Sequence, residues 1–180
     1  IMNYVERFFH RGDQLKGRRV LITAGPTQEA LDPVRYLTNH SSGKMGYALA
    51  QAALDMGAEV TLISGPVQLQ PPAQAQVIRV TTAVEMFEAV RAHYETADFI
   101  IKAAAVGDYR PLHVSEQKIK KEGDSLRVEF VKNPDILAYV GTHKQPHQVL
   151  CGFAMETQNL LENAIGKLAA KHCDMIVAND

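Results

Sequence analysis

The sequence predicts an α/β fold of the Rossmann-like kind, a doubly wound and mainly parallel sheet with helices on both faces. Three observations predict it. Short apolar runs alternate along the chain with segments of helical periodicity, the pattern of βαβ units. One run, Asp98 to Ala104, is almost continuously apolar, as expected of a strand covered on both sides. The stretches rich in Gly, Pro, Asn and Ser follow apolar runs, so they gather at the carboxyl ends of strands, where such sheets bind ligands.

The 180 residues suit one domain with a real core. Hydrophobic residues make up 46% and charged residues 22%, ordinary for a globular chain. A formal net charge of -1 gives no general attraction to nucleic acid or to an anionic membrane, so neither is an expected partner. No apolar run reaches the length of a membrane span and no leader pattern opens the sequence. Cys151 and Cys173 cannot build a disulfide framework and are expected as small core residues of a cytoplasmic protein.

Asn3 to His10 is expected as a short helix, and residues 1–16 as a linker into a domain over 17–180. Arg19 to Thr23 is the first strand. Lys44 to Met56 is a helix whose apolar positions Met45, Leu49, Ala52, Ala53 and Met56 mark the buried face, with Gly57 as its cap. Glu59 to Ser64 and Val77 to Val80 are strands. Thr82 and Glu85 form a capping box that opens a helix to Tyr94. Leu126, Val128 and Phe130 alternate with charged residues, as in a half-exposed hairpin strand. A short helix starts at Asn133-Pro134-Asp135. Gln148 to Phe153 is a buried strand, Asn159 to His172 a helix, and Asp174 to Ala178 the last strand. An end so soon after a strand predicts that the domain continues beyond it.

The most informative stretch runs from Thr23 to Gly46. Its length marks a functional loop. It ends in Ser41, Ser42 and Gly43 at a helix start, where free N–H groups and the helix dipole favour a phosphate or carboxylate. Gly43-Lys44-Met45 is no P-loop, because no Ser or Thr follows the lysine. About twenty residues separate the first strand from Gly43, which disfavours a dinucleotide fingerprint. The second strand ends in Ser64-Gly65-Pro66 and lacks the carboxylate that would hold an adenosine ribose. A nicotinamide-dependent short-chain-type reductase would need a Tyr-x-x-x-Lys, which neither Tyr94 nor Tyr109 supplies. A non-catalytic nucleotide-binding module is the other alternative.

The segments ITAGPTQEALDPVRYLTNHSSGKMG, GAEVTLISGPV, AAAVGDYRP, KIKK, VKNPDIL, GFAMET and IVAND, in this order, resemble the phosphopantothenate–cysteine ligase family. That family is the second half of a bacterial bifunctional coenzyme A biosynthesis flavoprotein. The resemblance covers the chain from Leu15. It implies ligation of 4'-phosphopantothenate with L-cysteine, driven by CTP through an acyl-cytidylate. It implies Mg²⁺ accompanying CTP without a dedicated protein metal cage, and a homodimer. In full-length relatives a flavin-dependent decarboxylase precedes this domain; no FMN site is expected within these residues.

By that resemblance Asn39 is catalytic, its amide able to steady charge on an acyl oxygen, a donor typically worth about 3 kcal/mol. Lys118 matches the lysine of a mobile lid, where it would neutralise the triphosphate. Asn39, His40, Ser41, Ser42 and Gly43 are expected at the substrate phosphate, with Arg35 and Lys44 as further cations. The nucleotide is expected against Gly25, Ser64, Gly65, Lys102, Ala103, Ala104 and Asp108. Pro134, Asp135, Ile136, Leu137, Phe153, Lys167 and Lys171 complete that expected set. Lys102 stands out among these residues, since a charge inside an apolar strand needs a partner.

Overall fold

A computed structural model of the chain describes residues 12–121, 123–155 and 159–179. The helix expected over Asn3 to His10 lies outside the described residues. The strands are β1 (Arg19–Ala24), β2 (Gln28–Ala30), β3 (Tyr36–Thr38), β4 (Glu59–Ser64), β5 (Gln76–Arg79), β6 (Phe99–Lys102), β7 (Tyr109–Pro111), β8 (Phe130–Lys132), β9 (Val149–Met155) and β10 (Met175–Asn179). The helices are α1 (Lys44–Asp55), α2 (Ala83–His93), α3 (Ile136–His143) and α4 (Leu160–Ala170).

Six strands form one parallel sheet in the order β10-β9-β6-β1-β4-β5. The strand order reverses between β1 and β6, and the crevice at such a switch point is where doubly wound sheets hold ligands. One face of the sheet packs Leu21, Ile63, Ile100 and Leu150 against α2 and α3 through Met86, Val90, Ile136 and Val140. The other packs Val20, Ile22, Val60 and Leu62 against α1 through Tyr47, Ala50, Ala53 and Leu54. Helix α4 lies over β9 and β10. Cys151 and Cys173 are buried and unpaired, and burial pushes the Cys173 thiol up to about 11, so neither is a poised nucleophile.

The helix α1 face differs from the expected one. Met45, Ala52 and Met56 are exposed, and the buried residues are Gly46, Tyr47, Ala50, Ala53 and Leu54. Small side chains decide this face. A Cβ added at Gly46 would lie 2.5 Å from the Ala24 Cβ, so the first turn sits directly on the end of β1.

Two small ribbons leave the sheet. β2 pairs antiparallel with β3 inside the long loop, and β7 with β8. The alternation at Leu126, Val128 and Phe130 does not form the expected strand; pairing begins at Phe130 and runs to Lys132 opposite Tyr109–Pro111. Helix α2 has the expected capping box between Thr82 and Glu85. Buried Glu29 adds to it by accepting the Ala83 N–H at 2.9 Å, which ties β2 to that helix. Gln148 precedes β9 instead of starting it. Its side chain is buried, donates to the carbonyls of Tyr94 and Ala97 and accepts the Gln145 N–H.

Candidate functional site

The carboxyl ends of β6 and β9 open onto a cavity of about 480 Å³. Lys102, Ala104 and Asp108 line it from β6 and its loop. Pro134, Asp135, Ile136 and Leu137 line it from the start of α3, and Phe153, Lys167 and Lys171 from β9 and α4. A second cavity of about 780 Å³ is lined by Asn39, His40, Ser41, Ser42, Gly43 and the first turn of α1, facing Ala103 to Val106. The two share Ala104, Val106, Asp108, Phe153 and Lys167, so they form one continuous cleft across the switch point.

The α1 end of this cleft is built for an anion. Gly43, the N-cap, has φ 76°, the left-handed conformation that glycine adopts without cost. No side chain caps the helix and its first turn holds no acid, so the N–H groups and the dipole remain available. The Ser41 hydroxyl accepts the Gly43 N–H at 3.3 Å. His40 and Lys44 border the same cavity.

Asn39 stands where this end meets the β6 loop, and its Nδ2 donates to the Val106 carbonyl at 3.1 Å. The loops around it are stitched together. Ala105 N–H donates to Gly25 O and Thr27 N–H to Ala105 O. Gly107 N–H donates to the Thr27 hydroxyl, and Asn133 Nδ2 to Gly107 O at 2.8 Å. These bonds hold together the loops from which Asn39 reaches Val106.

The α3 end is cationic. Asp135 caps α3 by accepting the Ala138 N–H at 2.9 Å and pairs with the Lys171 ammonium. Burial works against its carboxylate, but Lys171 and the Ala138 N–H outweigh it and hold the pKa below the ordinary value. Lys167 donates to Phe153 O at 2.7 Å. Lys102 is buried, and its Nζ has no hydrogen-bond partner among the described residues. Burial lowers its pKa from 10.5 to about 7, with Asp135 the only charge that offsets the effect.

A family model described as the DNA/pantothenate metabolism flavoprotein C-terminal domain matches residues 15–180. The chain belongs to this family. Among its relatives, the coenzyme A biosynthesis bifunctional protein CoaBC of Vibrio parahaemolyticus is 52% identical over 184 residues, covering 100% of this chain and 45% of that protein. The chain thus spans less than half the length of the curated relatives it matches. The crystal structure of the C-terminal domain of a CoaBC protein superposes with a TM-score of 0.84 at 48% identity, covering 94% of this chain and 80% of that one. A Cab2 mutant structure in complex with phosphopantothenate-cysteine shares the fold, with a TM-score of 0.79 at 18% identity over 90% of this chain and 72% of that one.

In this pantothenate metabolism flavoprotein domain, three of the expected nucleotide residues lie beneath the cleft instead of lining it. Ser64 is buried, its hydroxyl 3.0 Å from the Tyr47 hydroxyl and donating to Gly65 O. A Cβ on Gly65 would collide with Pro26 O, and one on Gly25 would come within 2.9 Å of a Val67 methyl. These residues form the platform on which the loops rest. Lys118 is exposed and lines neither cavity.

The loop bearing Lys118 is fastened next door. Buried Asp32 accepts the Ile119 N–H at 3.1 Å, and Arg35 donates to both Asp32 and the Ile119 carbonyl. The Arg35 guanidinium holds the Asp32 carboxyl far below the usual carboxylate range despite the opposing effect of desolvation, and the N–H groups of Val34, Ile119 and Arg35 add to this. Arg35, expected as a substrate cation, is thereby engaged in a clamp. Tyr109, Lys132 and Met155 also line the cleft and were not among the expected residues. Met155 ends β9, so the rule that ligands sit at carboxyl ends of strands would have found it.

Proposed function

We propose that this chain carries the CTP-dependent ligation of 4'-phosphopantothenate with L-cysteine, giving 4'-phosphopantothenoyl-cysteine, CMP and pyrophosphate, in the cytoplasm. The observation that supports this reading most is the continuity of the cleft. An anion cradle at α1 opens into a cationic chamber at α3, with the Asn39 amide between them.

Phosphopantothenate takes the α1 end with its phosphate on the Ser41–Gly43 N–H groups. The nucleotide takes the α3 end. A pantothenate carboxylate oxygen attacks the α-phosphorus, the bond to the β-phosphate oxygen breaks, and pyrophosphate leaves. The cysteine amine then attacks the acyl carbon, loses a proton, and CMP departs. Asn39 Nδ2 leaves Val106 O to donate to the acyl oxygen as charge grows there. Lys118 swings in from its loop to screen the triphosphate during the first step.

No group of three or more metal-ligating side chains is present among the described residues. Mg²⁺ would accompany the triphosphate, carried mainly by phosphate oxygens and water. Asp108, which lines both cavities, is the carboxylate that would help to hold such an ion, whose chemistry is to neutralise phosphate charge. The exposed apolar residues Tyr36, Leu37, Tyr109 and Phe130 on the two ribbons support a homodimer built there.

Pyrophosphate release is the test. It should require both CTP and phosphopantothenate, and CMP release should require cysteine as well. CTP binding without any pyrophosphate would leave a nucleotide-binding module and overturn the ligase reading.

A further inference from the structure

Lys102 ends β6, paired in register with Thr23 of β1 and Gly152 of β9. It falls on the same side of the sheet as Ile100, the side that packs α3. Only 8% of it is exposed, and its three N–H donors find no acceptor among the described residues. A buried polar group without a partner is uncommon and calls for a physical reason.

The groups around Lys102 explain why the protein itself does not satisfy it. Asp135, the acid nearest in effect, is already committed to Lys171 and to the Ala138 N–H. Lys167 and Lys171 on α4 and Lys132 on β8 line the same chamber and add positive charge, as does the N-terminal end of α3. Asp108 and Tyr109 border it from the β6 loop. Among the described residues the chamber thus holds a buried donor without an acceptor, which a ligand can supply.

We propose that Lys102 reads the base of the bound nucleotide, donating from Nζ to a ring carbonyl oxygen or unprotonated ring nitrogen of a pyrimidine packed against Phe153. This deepens the nucleotide reading above and rests on it. The chamber has room in its lining for both parts of a nucleotide. Ala104, Ile136, Leu137 and Phe153 offer apolar surface suited to a flat ring with a neutral acceptor on its edge, and Lys132, Lys167 and Lys171 remain for phosphates.

Binding then moves a proton. Burial lowers the pKa of the free amine to about 7, which weakens its hold on the proton. An acceptor at hydrogen-bond distance favours the ammonium, so the amine takes a proton from solvent as the base docks. Nucleotide affinity should weaken as pH rises above about 7.

Calorimetric titration of the intact protein with CTP tests this, run from about pH 6.5 to 8.5 in buffers of different ionisation enthalpy. The wild type should take up protons on binding CTP, more as the pH rises above about 7. Lys102→Met should lose that uptake and bind CTP and CMP at least about tenfold more weakly, the usual worth of a charged hydrogen bond. Its affinity for inorganic tripolyphosphate should not change.

Equal uptake and equal CTP affinity in the two proteins would overturn the role of Lys102 and leave the nucleotide site standing. Weakened tripolyphosphate binding would make the residue a phosphate contact and overturn base reading. A wild type that fails to bind CTP at all would sink the nucleotide reading with it. Methionine has similar length and needs no acceptor, so the variant should fold, which its melting temperature checks.

Discussion

The end of β6 and the loop that follows β7 each carry a lysine assigned to the nucleotide, and the two settings are opposite. Lys102 is buried between parallel strands, with its backbone locked by neighbours on both sides. Lys118 is exposed on a segment secured mainly at Ile119, by Asp32 and Arg35, and at Ser115, which donates to Leu31 O. A group fixed before the ligand arrives can discriminate between ligands. A group that must travel can follow charge as it develops. On the proposed reading, recognition would fall to the sheet and charge compensation to the loop.

The largest expected effect is at Asn39, between the two regions. Asn39→Asp should lower overall ligation by about a hundredfold or more while pyrophosphate release continues, so acyl-cytidylate accumulates in a rapid-quench experiment. Unchanged turnover would remove Asn39 from the reaction.

Next in size is a contrast between the lysines. Lys118→Gln should slow pyrophosphate release by about tenfold or more and leave CMP affinity intact. Lys102→Met should do the reverse, weakening CMP. If both variants lost CMP affinity equally, the division between sheet and loop would be wrong.

A smaller effect should follow Asp32→Asn, which loosens the clamp beside Lys118. Pyrophosphate release should drop by a few fold with CMP binding unaffected. Asp32 has a folded pKa below its unfolded one. Its contribution to stability is therefore complete above the ordinary carboxylate value of about 4 and is lost as pH falls from there toward the depressed folded value. Thermal melts between about pH 5 and pH 2 should show a shallower acid decline in the variant. An identical decline would mean that the clamp does not titrate.

The smallest effect serves as a control. Thr82→Ala removes one half of the α2 capping box, which lines neither cavity, and should cost about 1 kcal/mol of stability with no change in nucleotide affinity. A denaturant titration beside a CMP titration would reveal any coupling to the site.

The parallel sheet was legible because its strands are apolar runs bounded by turn residues, and the sequence places β1, β4, β6, β9 and β10 to within a few residues. The ribbons were not. Gln28–Ala30 and Tyr36–Thr38 are three residues each, too short for a period, and their pairing is a tertiary matter. The face of α1 was misread because large apolar residues were weighted over small ones, whereas close packing of Gly46 on Ala24 sets the rotation. At the site, Asn39, Asp108 and Asp135 line the cleft, as polar residues in loops and at a helix start can. Ser64 lies at a strand end but is buried, with its hydroxyl beside that of Tyr47. Sequence marked Lys102 as anomalous but could not say whether a partner existed, since that depends on Asp135 being taken by Lys171.

The platform beneath the cleft has a bearing on how such domains can be re-engineered. A single methyl of Val67 would stand within 2.9 Å of a Cβ at Gly25 and 2.8 Å of one at Gly43, while Gly65 presses on Pro26. Three separate segments are therefore gauged against one another. A designer who grafts any one of them from a distant homologue inherits a mismatch, and only a transplant of all three together should retain the shape of the floor.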